Sequence, residues 1–328
     1  MIRRQKKIKN LLAALLGLLW LVGVWVGYQN IYGTSNQDAS LETITIGYQK
    51  GDIFHLAKIE GTLEESLEAK GYKVKWKSFT DGSALLEALA TGSVDYGRTG
   101  NTPPVVSQSS GSDVVYIASS FSKYEGSAIL TPSGSSIDSL EDLAGKRIAV
   151  SKGSSAHYFL IKALESVGLT TDDVTIEYLN PSAGRIAFEN NNVDAWVVWD
   201  PYTASAQIEA SAEILTTAEG FSTDRDFILS TESFASSHED VTTTLIESMS
   251  YALNWVNENK SEVAEKLAKT LDIDQSVIEV MVNRRTYGMD ELTDEIMSEQ
   301  QDIADTFLAG GFIEKQIDVN DAVYQSDN

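Results

Sequence analysis

The stretch Lys152-Gly153-Ser154-Ser155-Ala156-His157 carries the clearest chemical signal in the sequence. It follows the mainly apolar residues Arg147–Val150, which predict a strand, and it leads into a helical pattern that begins near Ser155. The start of a helix has unpaired backbone N–H groups and a positive partial charge. Two serine hydroxyls and an imidazole add donors at the same place. The stretch therefore predicts a seat for a small anion.

These residues also have plainer structural roles, which the sequence leaves open. Ser154 or Ser155 serves as an N-cap of the helix, and capping is compatible with ligand binding. His157, taken alone, is best explained as a residue that packs in the first helical turn. A repeat within the sequence favours a ligand-binding role over that explanation.

The repeat places a weaker copy of the stretch 102 residues earlier. Lys50-Gly51 and His55 correspond to Lys152-Gly153 and His157, so two of the three histidines occupy equivalent positions, while the copy carries Asp52 instead of a serine. Because the loop residues match as well as the apolar ones, two related α/β lobes explain the repeat better than chance similarity does. A second set of residues matches identical residues 99 positions later, and its first copy consists of Ser83, Ala84, Ala88, Val94 and Asp95.

Strands and helices alternate along the sequence, which predicts an α/β fold with a mostly parallel sheet in each lobe. Ligands of such sheets bind beyond the carboxyl ends of the strands, where both matched loop sets lie. Crossings between the lobes are expected near Gly126–Pro132 and near Phe221–Phe227. The expected strands are Thr43–Gly47, Lys73–Phe79, Val94–Arg98, Val114–Ser119, Arg147–Val150, Thr175–Leu179 and Ala195–Val198. The expected helices between them are Phe54–Ala69, Ser83–Thr91, Ser139–Leu143, Ser155–Val167 and Pro181–Glu189.

Composition excludes several classes of function. The chain has 328 residues and a net charge of −23, which makes nucleic acid a poor partner because phosphate contacts need a basic face. The absence of cysteine excludes disulfides, thiolate metal sites, cysteine nucleophiles and lipidation of an N-terminal cysteine. Three scattered histidines make a catalytic metal site a poor hypothesis.

The sequence favours a binding protein over an enzyme. It contains no G-x-S-x-G elbow, no H-E-x-x-H helix and no GxxxxGK[ST] loop. Ser155 and His157 are only two residues apart near a helix start, a spacing that does not make a nucleophile and base pair. We therefore expect no catalytic residues, no metal and no cofactor.

The N-terminus predicts export from the cytoplasm. Residues 1–10 form a basic head, and Leu11–Tyr28 are eighteen uncharged, mainly apolar residues, about the length that spans a bilayer core. No clear small-x-small cleavage site follows, so an uncleaved membrane anchor is favoured over a cleaved signal peptide. Residues 29–42 read as a tether. Either way the functional body lies outside the cytoplasm, anchored to the cell membrane or released into the periplasm or medium.

Several motifs together resemble the substrate-binding proteins of aliphatic sulfonate ABC transporters, within the sulfonate, taurine and nitrate group. The resemblance covers nearly all of the chain from Thr43 onward. One departure is Asn101, where the family usually has an aspartate after Thr-Gly. The motifs are Ile46-Gly47-Tyr48-Gln49-Lys50-Gly51, Leu85-Leu86-Glu87-Ala88-Leu89, Thr99-Gly100 with Pro103-Pro104, Lys152-Gly153-Ser154-Ser155 with His157, and Val193-Asp194-Ala195-Trp196 with Trp199-Asp200-Pro201-Tyr202.

The resemblance implies a two-lobed periplasmic-binding-protein fold of type II. Lobe 1 would comprise residues 43–128 and 225–328, and lobe 2 residues 129–224. A monomer of this kind captures a sulfonate in the cleft between its lobes and delivers it to an ABC permease driven by an ATPase. The alternatives are a protein for taurine, nitrate or another small anion or cofactor precursor, and an anchored sensor that reports its ligand to a receptor.

A sulfonate is a permanent anion with three acceptor oxygens, so its site needs donors. We expect the anionic head on the lobe 2 side. Trp199 and Tyr202 would form an apolar wall, while Asp200 would hold the hinge or orient a donor. Arg285 would either reach across the cleft to the sulfonate or form a surface salt bridge. The expected donors are Ser154, Ser155 and His157 from lobe 2, faced by Gln49, Gly100 and Asn101 from lobe 1.

Overall fold

The computed structural model describes residues 41–325, and these residues form two α/β lobes, each built on one sheet. The predicted basic head, membrane anchor and nearly all of the predicted tether lie outside the described residues. Within residues 41–325, no helix is long and apolar enough to cross a membrane.

Eleven strands occur in the described part of the chain. They are β1 (Glu42–Gln49), β2 (Tyr72–Phe79), β3 (Tyr96–Gly100), β4 (Val114–Ser120), β5 (Ser127–Thr131), β6 (Arg147–Val150), β7 (Thr175–Tyr178), β8 (Ala195–Trp199), β9 (Glu213–Thr217), β10 (Asp226–Thr231) and β11 (Met289–Asp290).

The twelve α-helices of residues 41–325 lie between and after these strands. They are α1 (Ile53–Glu60), α2 (Thr62–Ala69), α3 (Gly82–Ala90), α4 (Thr102–Ser109), α5 (Ser155–Ser166), α6 (Pro181–Glu189), α7 (Tyr202–Glu209), α8 (Glu232–Ser237), α9 (Glu239–Glu258), α10 (Lys260–Leu271), α11 (Gln275–Asn283) and α12 (Asp294–Ala309).

The two-lobed α/β architecture predicted from the sequence is confirmed, and both of its sheets are mixed. The six-stranded sheet of lobe 1 has the order β11-β4-β10-β3-β1-β2, and the five-stranded sheet of lobe 2 has the order β7-β6-β8-β5-β9. The pairs β1–β3, β6–β7 and β6–β8 are parallel, as expected for strands joined by crossover helices. By contrast, β10 and β5, the first strand after each crossing, run antiparallel to their neighbours.

The chain passes between the two sheets through residues 121–126 and 218–225. The first crossing lies earlier than the predicted Gly126–Pro132, because Ser127–Thr131 form β5 and its side chains are all buried. The second overlaps the predicted Phe221–Phe227. The sheets thus divide the chain near residues 126 and 218–225, and the lobe boundaries at 128/129 and 224/225 stay a prediction.

Local sequence explains where the helices begin and end. The single helix predicted over Phe54–Ala69 is two helices, because Gly61 adopts a positive φ of 100° and ends α1. In lobe 2, α5 packs the side chains of Phe159, Leu160 and Leu164 into the core. Full burial of side chains of this size stabilises the fold by about 1.5–3 kcal/mol each, which fixes α5 firmly against its sheet.

Helix α5 also contacts lobe 1. Tyr158 and Ile161 of this helix join an apolar cluster with Val105, Phe227 and Phe307. The Tyr158 hydroxyl donates to Asp302 of α12 at 2.5 Å. The start of α5 is therefore held between the two lobes.

Candidate functional site

A cavity of about 220 Å³ lies between the lobes at the carboxyl ends of their strands. Gln49 is the last residue of β1, Phe79 of β2 and Trp199 of β8, and all three line it. This is the position expected for a ligand in an α/β protein. Loop and helix residues also line it, and they include Asp52, Asp200, Tyr202, Met281 and Arg285.

A smaller cavity of about 30 Å³ adjoins the first at the start of α5. Its lobe 2 wall is the run from Ser151 to Ser155, and its lobe 1 wall includes Gly100 and Pro103. The two cavities form one site, which we call the cleft. Five residues line both of them, namely Gln49, Arg98, Lys123, Trp199 and Asp224.

The repeat in the sequence corresponds to two strand-turn-helix junctions with the same hydrogen bonds. The Gly51 N–H donates to Nδ1 of His55 at 3.1 Å, and the Gly153 N–H donates to Nδ1 of His157 at 3.3 Å. Both glycines have a positive φ, 75° and 69°, which favours glycine at this turn. Each histidine ring therefore ties its turn to the first turn of its helix.

The capping residue is where the two junctions differ. Asp52 caps α1 by accepting from the His55 N–H at 2.7 Å, and it also accepts from the Gln49 N–H at 2.7 Å. Ser154 caps α5 by accepting from the His157 N–H at 3.3 Å. The α1 start thus carries a carboxylate, and the α5 start carries a neutral hydroxyl.

His157 does not reach the cleft. Its side chain is fully buried, with ring centroids 5.3 Å from Tyr178, 5.4 Å from Phe307 and 4.6 Å from Phe312. Because Nδ1 accepts a hydrogen bond, the proton of the neutral ring is on Nε2, which lies 3.3 Å from the Tyr178 hydroxyl. Burial lowers the pKa of His157 to about 4, so the ring is uncharged at neutral pH. The packing role, and not the donor role, fits this position.

Asn101 also lies outside the cleft, in a separate surface groove. Its side-chain amide donates to the Ser222 hydroxyl at 3.3 Å, and its backbone carbonyl accepts from the Gln300 side chain at 2.8 Å. Gly100, by contrast, lines the cleft where the lobes meet, and a Cβ there would overlap the Ser155 hydroxyl. The other eight predicted site residues line the cleft: Gln49, Gly100, Ser154, Ser155, Trp199, Asp200, Tyr202 and Arg285.

Five cations line the cleft, and two of them, Arg98 and Lys123, are already paired with carboxylates. Arg98 pairs with Asp226 and lies 3.9 Å from Asp52. Lys123 lies 2.6 Å from Asp224 and 3.5 Å from Asp226. Burial is the main influence on Asp52, and it raises the pKa of that carboxyl to about 6 despite the nearby Arg98. The ion pairs themselves keep the pKa of Asp226 low against its burial.

Arg285 is the half-buried cation that has no such partner, whereas Lys50 and Lys152, which also line the cleft, are exposed. Its guanidinium lies over the ring of Tyr287, 4.5 Å from the centroid, and it lines the larger cavity. No carboxylate within residues 41–325 comes within 4 Å of it. A planar guanidinium held on an aromatic ring is well suited to a ligand with several acceptor oxygens.

The neighbouring Arg284, unlike Arg285, is paired within the protein. It forms an ion pair with Asp200 at 3.2 Å, and it donates to Gln207 at 2.7 Å and to the Glu125 carbonyl at 3.2 Å. Asp200 also accepts from the Ala204 N–H at 3.1 Å, and burial raises its pKa to about 6. Arg284 thus links lobe 1 to lobe 2 through its ion pair with Asp200, close to the first crossing.

Sequence reasoning missed Arg98, Lys123 and Asp224. A signal for Arg98 existed, because a single arginine in the buried strand β3 needs a partner. Lys123 and Asp224 lie on the two crossings, where no periodic pattern marks them. Their meeting depends on how the two crossings align, which local sequence does not determine.

The apolar part of the cleft is a wall of four side chains. Phe79 and Met281 come from lobe 1, and Trp199 and Tyr202 come from lobe 2. Tyr202 packs edge-to-face against Trp196, which does not line the cleft, with ring centroids 6.1 Å apart. The cleft therefore combines fixed donors with a surface that fits a short carbon chain.

Comparison with known proteins gives the context for this geometry. The family model described as NMT1/THI5 like matches residues 67–263. A Bacillus subtilis (strain 168) protein named, by inference, an aliphatic sulfonates-binding protein is 35% identical over 295 residues, which covers 89% of this chain and 88% of that protein.

Solved structures agree with this match. The periplasmic aliphatic sulphonate binding protein SsuA of Escherichia coli is 32% identical, with a TM-score of 0.81 over 87% of this chain and 98% of its own. The alkanesulfonate-binding protein SsuA of Xanthomonas axonopodis pv. citri, bound to MOPS, is also 32% identical, with a TM-score of 0.82 over the same shares. The desulfurization enzyme DSZB is only 13% identical at a TM-score of 0.62, a likeness of fold alone.

Proposed function

This chain belongs to the NMT1/THI5-like family, and we propose that it captures aliphatic sulfonates in its cleft and delivers them to an ABC importer. The observation that carries the proposal is that the cleft offers donors at two points where the donor group is not itself paired with a carboxylate. One is Arg285, which has no carboxylate partner within 4 Å in residues 41–325, and the other is the α5 start with its neutral cap Ser154.

The anionic head belongs at these donors because a sulfonate has no proton to give. Both serines line the cleft beside the positive end of the α5 dipole. The Ser154 hydroxyl donates to the Ser151 carbonyl at 2.7 Å, so the side-chain donor for the anion is the Ser155 hydroxyl. Arg285 supplies a charge-assisted pair from lobe 1, which is about twice as strong as a neutral hydrogen bond. His157 supports the seat indirectly, because it holds the Gly153 turn through Nδ1.

The carbon chain of the ligand belongs against the wall of Phe79, Trp199, Tyr202 and Met281. Each CH₂ buried there contributes about 0.8 kcal/mol, so chain length affects affinity within the limits of a cavity of about 220 Å³. A short aliphatic sulfonate matches both parts of the cleft. Inorganic sulfate and nitrate leave the wall without a partner.

Binding without turnover fits the groups present in the cleft. Ser154 and Ser155 have no free base beside them, since the nearby imidazole of His157 is fully buried and uses Nδ1 on Gly153. The named relatives are binding proteins. We therefore propose no enzymatic activity, and incubation with an alkanesulfonate should leave the compound unchanged by mass spectrometry.

The partners follow from the same proposal. The chain would work outside the cytoplasm as a monomer, where closure of its lobes on the ligand presents the complex to a permease and its ATPase. An N-terminal membrane anchor remains part of the proposal. An anchored sensor is the alternative, and loss of growth on a sulfonate as the sulfur source in a deletion strain would favour transport.

A thermal-shift panel of C2–C6 alkanesulfonates, sulfate and nitrate tests the proposal. A ligand at 100 times its Kd stabilises the folded protein by about 2.7 kcal/mol, enough for a clear rise in Tm. We expect that rise with alkanesulfonates and little change with the inorganic anions. A rise with sulfate or nitrate alone would overturn the sulfonate assignment.

A further inference from the structure

Asp224 has one carboxylate oxygen whose bonding is left incomplete within the protein. The side chain is 2% exposed and lines both cavities of the cleft. Its Oδ2 accepts from Ser127 and from Lys123, the latter at 2.6 Å. Its Oδ1 is buried and has no hydrogen-bond partner among residues 41–325. Leaving a buried acceptor unsatisfied is costly, so a donor from outside the protein chain is expected there.

Asp224 cannot easily turn this oxygen elsewhere. Its backbone N–H donates to the Ser222 hydroxyl at 3.1 Å, and Lys123 and Ser127 hold Oδ2. The Oδ1 atom lies 3.9 Å from the point where a Cβ on Gly100 would be, which is where the two lobes meet. The incomplete oxygen therefore faces the junction of the two cavities.

Arg98 has an incomplete donor in the same region. Its side chain lines both cavities, and its terminal nitrogens pair with Asp226 and Asp52. Its buried Nε–H has no acceptor within the described residues. The cleft therefore suits a ligand that has an acceptor for Arg98 and also a donor for Asp224. An unsubstituted alkanesulfonate has only acceptors.

We propose that the physiological ligand is a sulfonate whose short carbon chain carries a hydroxyl or amino group, and that Asp224 selects it by accepting a hydrogen bond from that group. This inference rests on the proposed function and narrows its substrate class. A site built to hydrogen-bond a polar group discriminates strongly against an analogue that lacks the group. Asp224 is thereby a specificity-determining residue.

An isosteric ligand series tests the inference by calorimetry on the full protein. The three ligands are 1-propanesulfonate, 2-hydroxyethanesulfonate and 2-aminoethanesulfonate, which differ only in a terminal methyl, hydroxyl or amino group. We expect at least one polar ligand to bind about tenfold more tightly than 1-propanesulfonate, the effect of one hydrogen bond to a charged group. Hydrophobic transfer alone predicts the opposite order.

The outcomes separate this inference from the proposed function. If none of the three sulfonates binds, the proposed function fails. If 1-propanesulfonate binds as tightly as both polar ligands or more tightly, the proposed function stands and the role of Asp224 is wrong, because water then satisfies Oδ1.

Two matched variants assign the effect to Asp224. Asp224→Asn keeps the side-chain shape and should reduce the tenfold preference to less than threefold. Asp226→Asn removes a charge from the same ion-pair network at a residue that does not line the cleft, and should keep the preference. The opposite pattern would overturn the assignment. The wild-type series remains decisive if either variant fails to fold.

Discussion

The starts of α1 and α5 share one design and differ in one residue. In both, a glycine with positive φ donates its N–H to a histidine four residues later, and the residue after the glycine caps the helix. Asp52 in lobe 1 brings a carboxylate to the positive helix end, whereas Ser154 in lobe 2 brings a neutral hydroxyl. The first helix start already has its anion, and the second is able to accept one from a ligand.

The difference shows that a turn can be duplicated in sequence without its ligand-binding role being duplicated. The hydrogen bonds that build the turn are kept in both lobes, so the turn itself is structural. The capping residue determines whether the helix start also serves a ligand. The Asp52 carboxyl accepts two backbone N–H bonds and lies 3.9 Å from Arg98, so its charge is used within the protein.

The largest effect is expected when the lobe 1 cap is moved to lobe 2 by Ser154→Asp. Aspartate caps helices as well as serine does, so the helix should be kept, while the hydrogen bond from the Ser154 hydroxyl to the Ser151 carbonyl is lost. Its charge would oppose a bound sulfonate across a few ångströms, which costs roughly 3 kcal/mol at the effective dielectric of a protein surface and weakens binding about 100-fold. Calorimetry with an alkanesulfonate measures the loss.

The matched control is Thr293→Asp, which likewise replaces a hydroxyl cap by aspartate, at the start of α12 away from the cleft. It should leave the affinity unchanged. Equal affinity of Ser154→Asp and the wild type would mean that the anion does not sit at α5.

The next effect is expected for Arg285→Ala, which removes the half-buried cleft cation that has no carboxylate partner. Loss of one charge-assisted contact costs about 2 kcal/mol, or roughly 30-fold in Kd, with little change in Tm because no ion pair within the protein is broken. Arg147→Ala breaks the exposed pair with Asp194 and serves as control. A Kd changed as little as in that control would show that Arg285 does not meet the anion.

A smaller effect is expected from pH, and its origin again lies in the lobe 1 cap. Asp52 lines the cleft and has a pKa raised to about 6, while Ser154 does not titrate. A bound anion raises the pKa of a nearby carboxyl further, so binding takes up protons and the affinity rises as the pH falls through 6. We expect about a fivefold tighter Kd at pH 5.5 than at pH 7.5.

Other groups in the cleft allow a control for this pH dependence. Asp200 also has a pKa raised to about 6, against the opposing charge of Arg284. Burial lowers the pKa values of His55 and His157 to about 4, so both rings stay neutral in this range. Asp52→Asn should therefore lose part of the pH dependence and keep the share due to Asp200. An unchanged slope in Asp52→Asn would exclude Asp52 as its source.

The fold was largely predictable because its signals are local. The apolar strands, the helix caps and the repeated turn each occupy a few consecutive residues, and the structure has them at the expected places. The split of the predicted helix at Gly61 and the strand Ser127–Thr131 were missed. The helical composition on both sides of Gly61 hid the turn at that glycine. The small, loop-like residues of Ser127–Thr131 hid a strand that is formed by packing within the sheet.

The site was predictable only where it follows strand ends. Gln49 and Trp199 end parallel strands and the serines of α5 follow one, so their convergence follows from topology. His157 has the right spacing, but the ring faces Phe307 and Phe312, and a contact with the C-terminal helix is invisible in the local sequence. Lys123 and Asp224 meet through the two crossings, a long-range pairing that no periodicity reports.

The smallest effect on binding is expected from His157→Asn, which tests the shared part of the two turns. Asparagine offers an oxygen close to the position of Nδ1, so the Gly153 N–H keeps an acceptor, while the contacts with Phe307 and Phe312 are lost. The free energy of unfolding should fall by about 1–3 kcal/mol, yet Kd should change less than threefold, because the ring does not touch the cleft. His55→Asn should behave alike in lobe 1, since its ring makes the same bond to Gly51. Denaturant unfolding and calorimetry on both variants separate the two quantities. A Kd weakened tenfold in His157→Asn alone, with stability unchanged, would restore this histidine as a ligand donor and end the equivalence of the two turns.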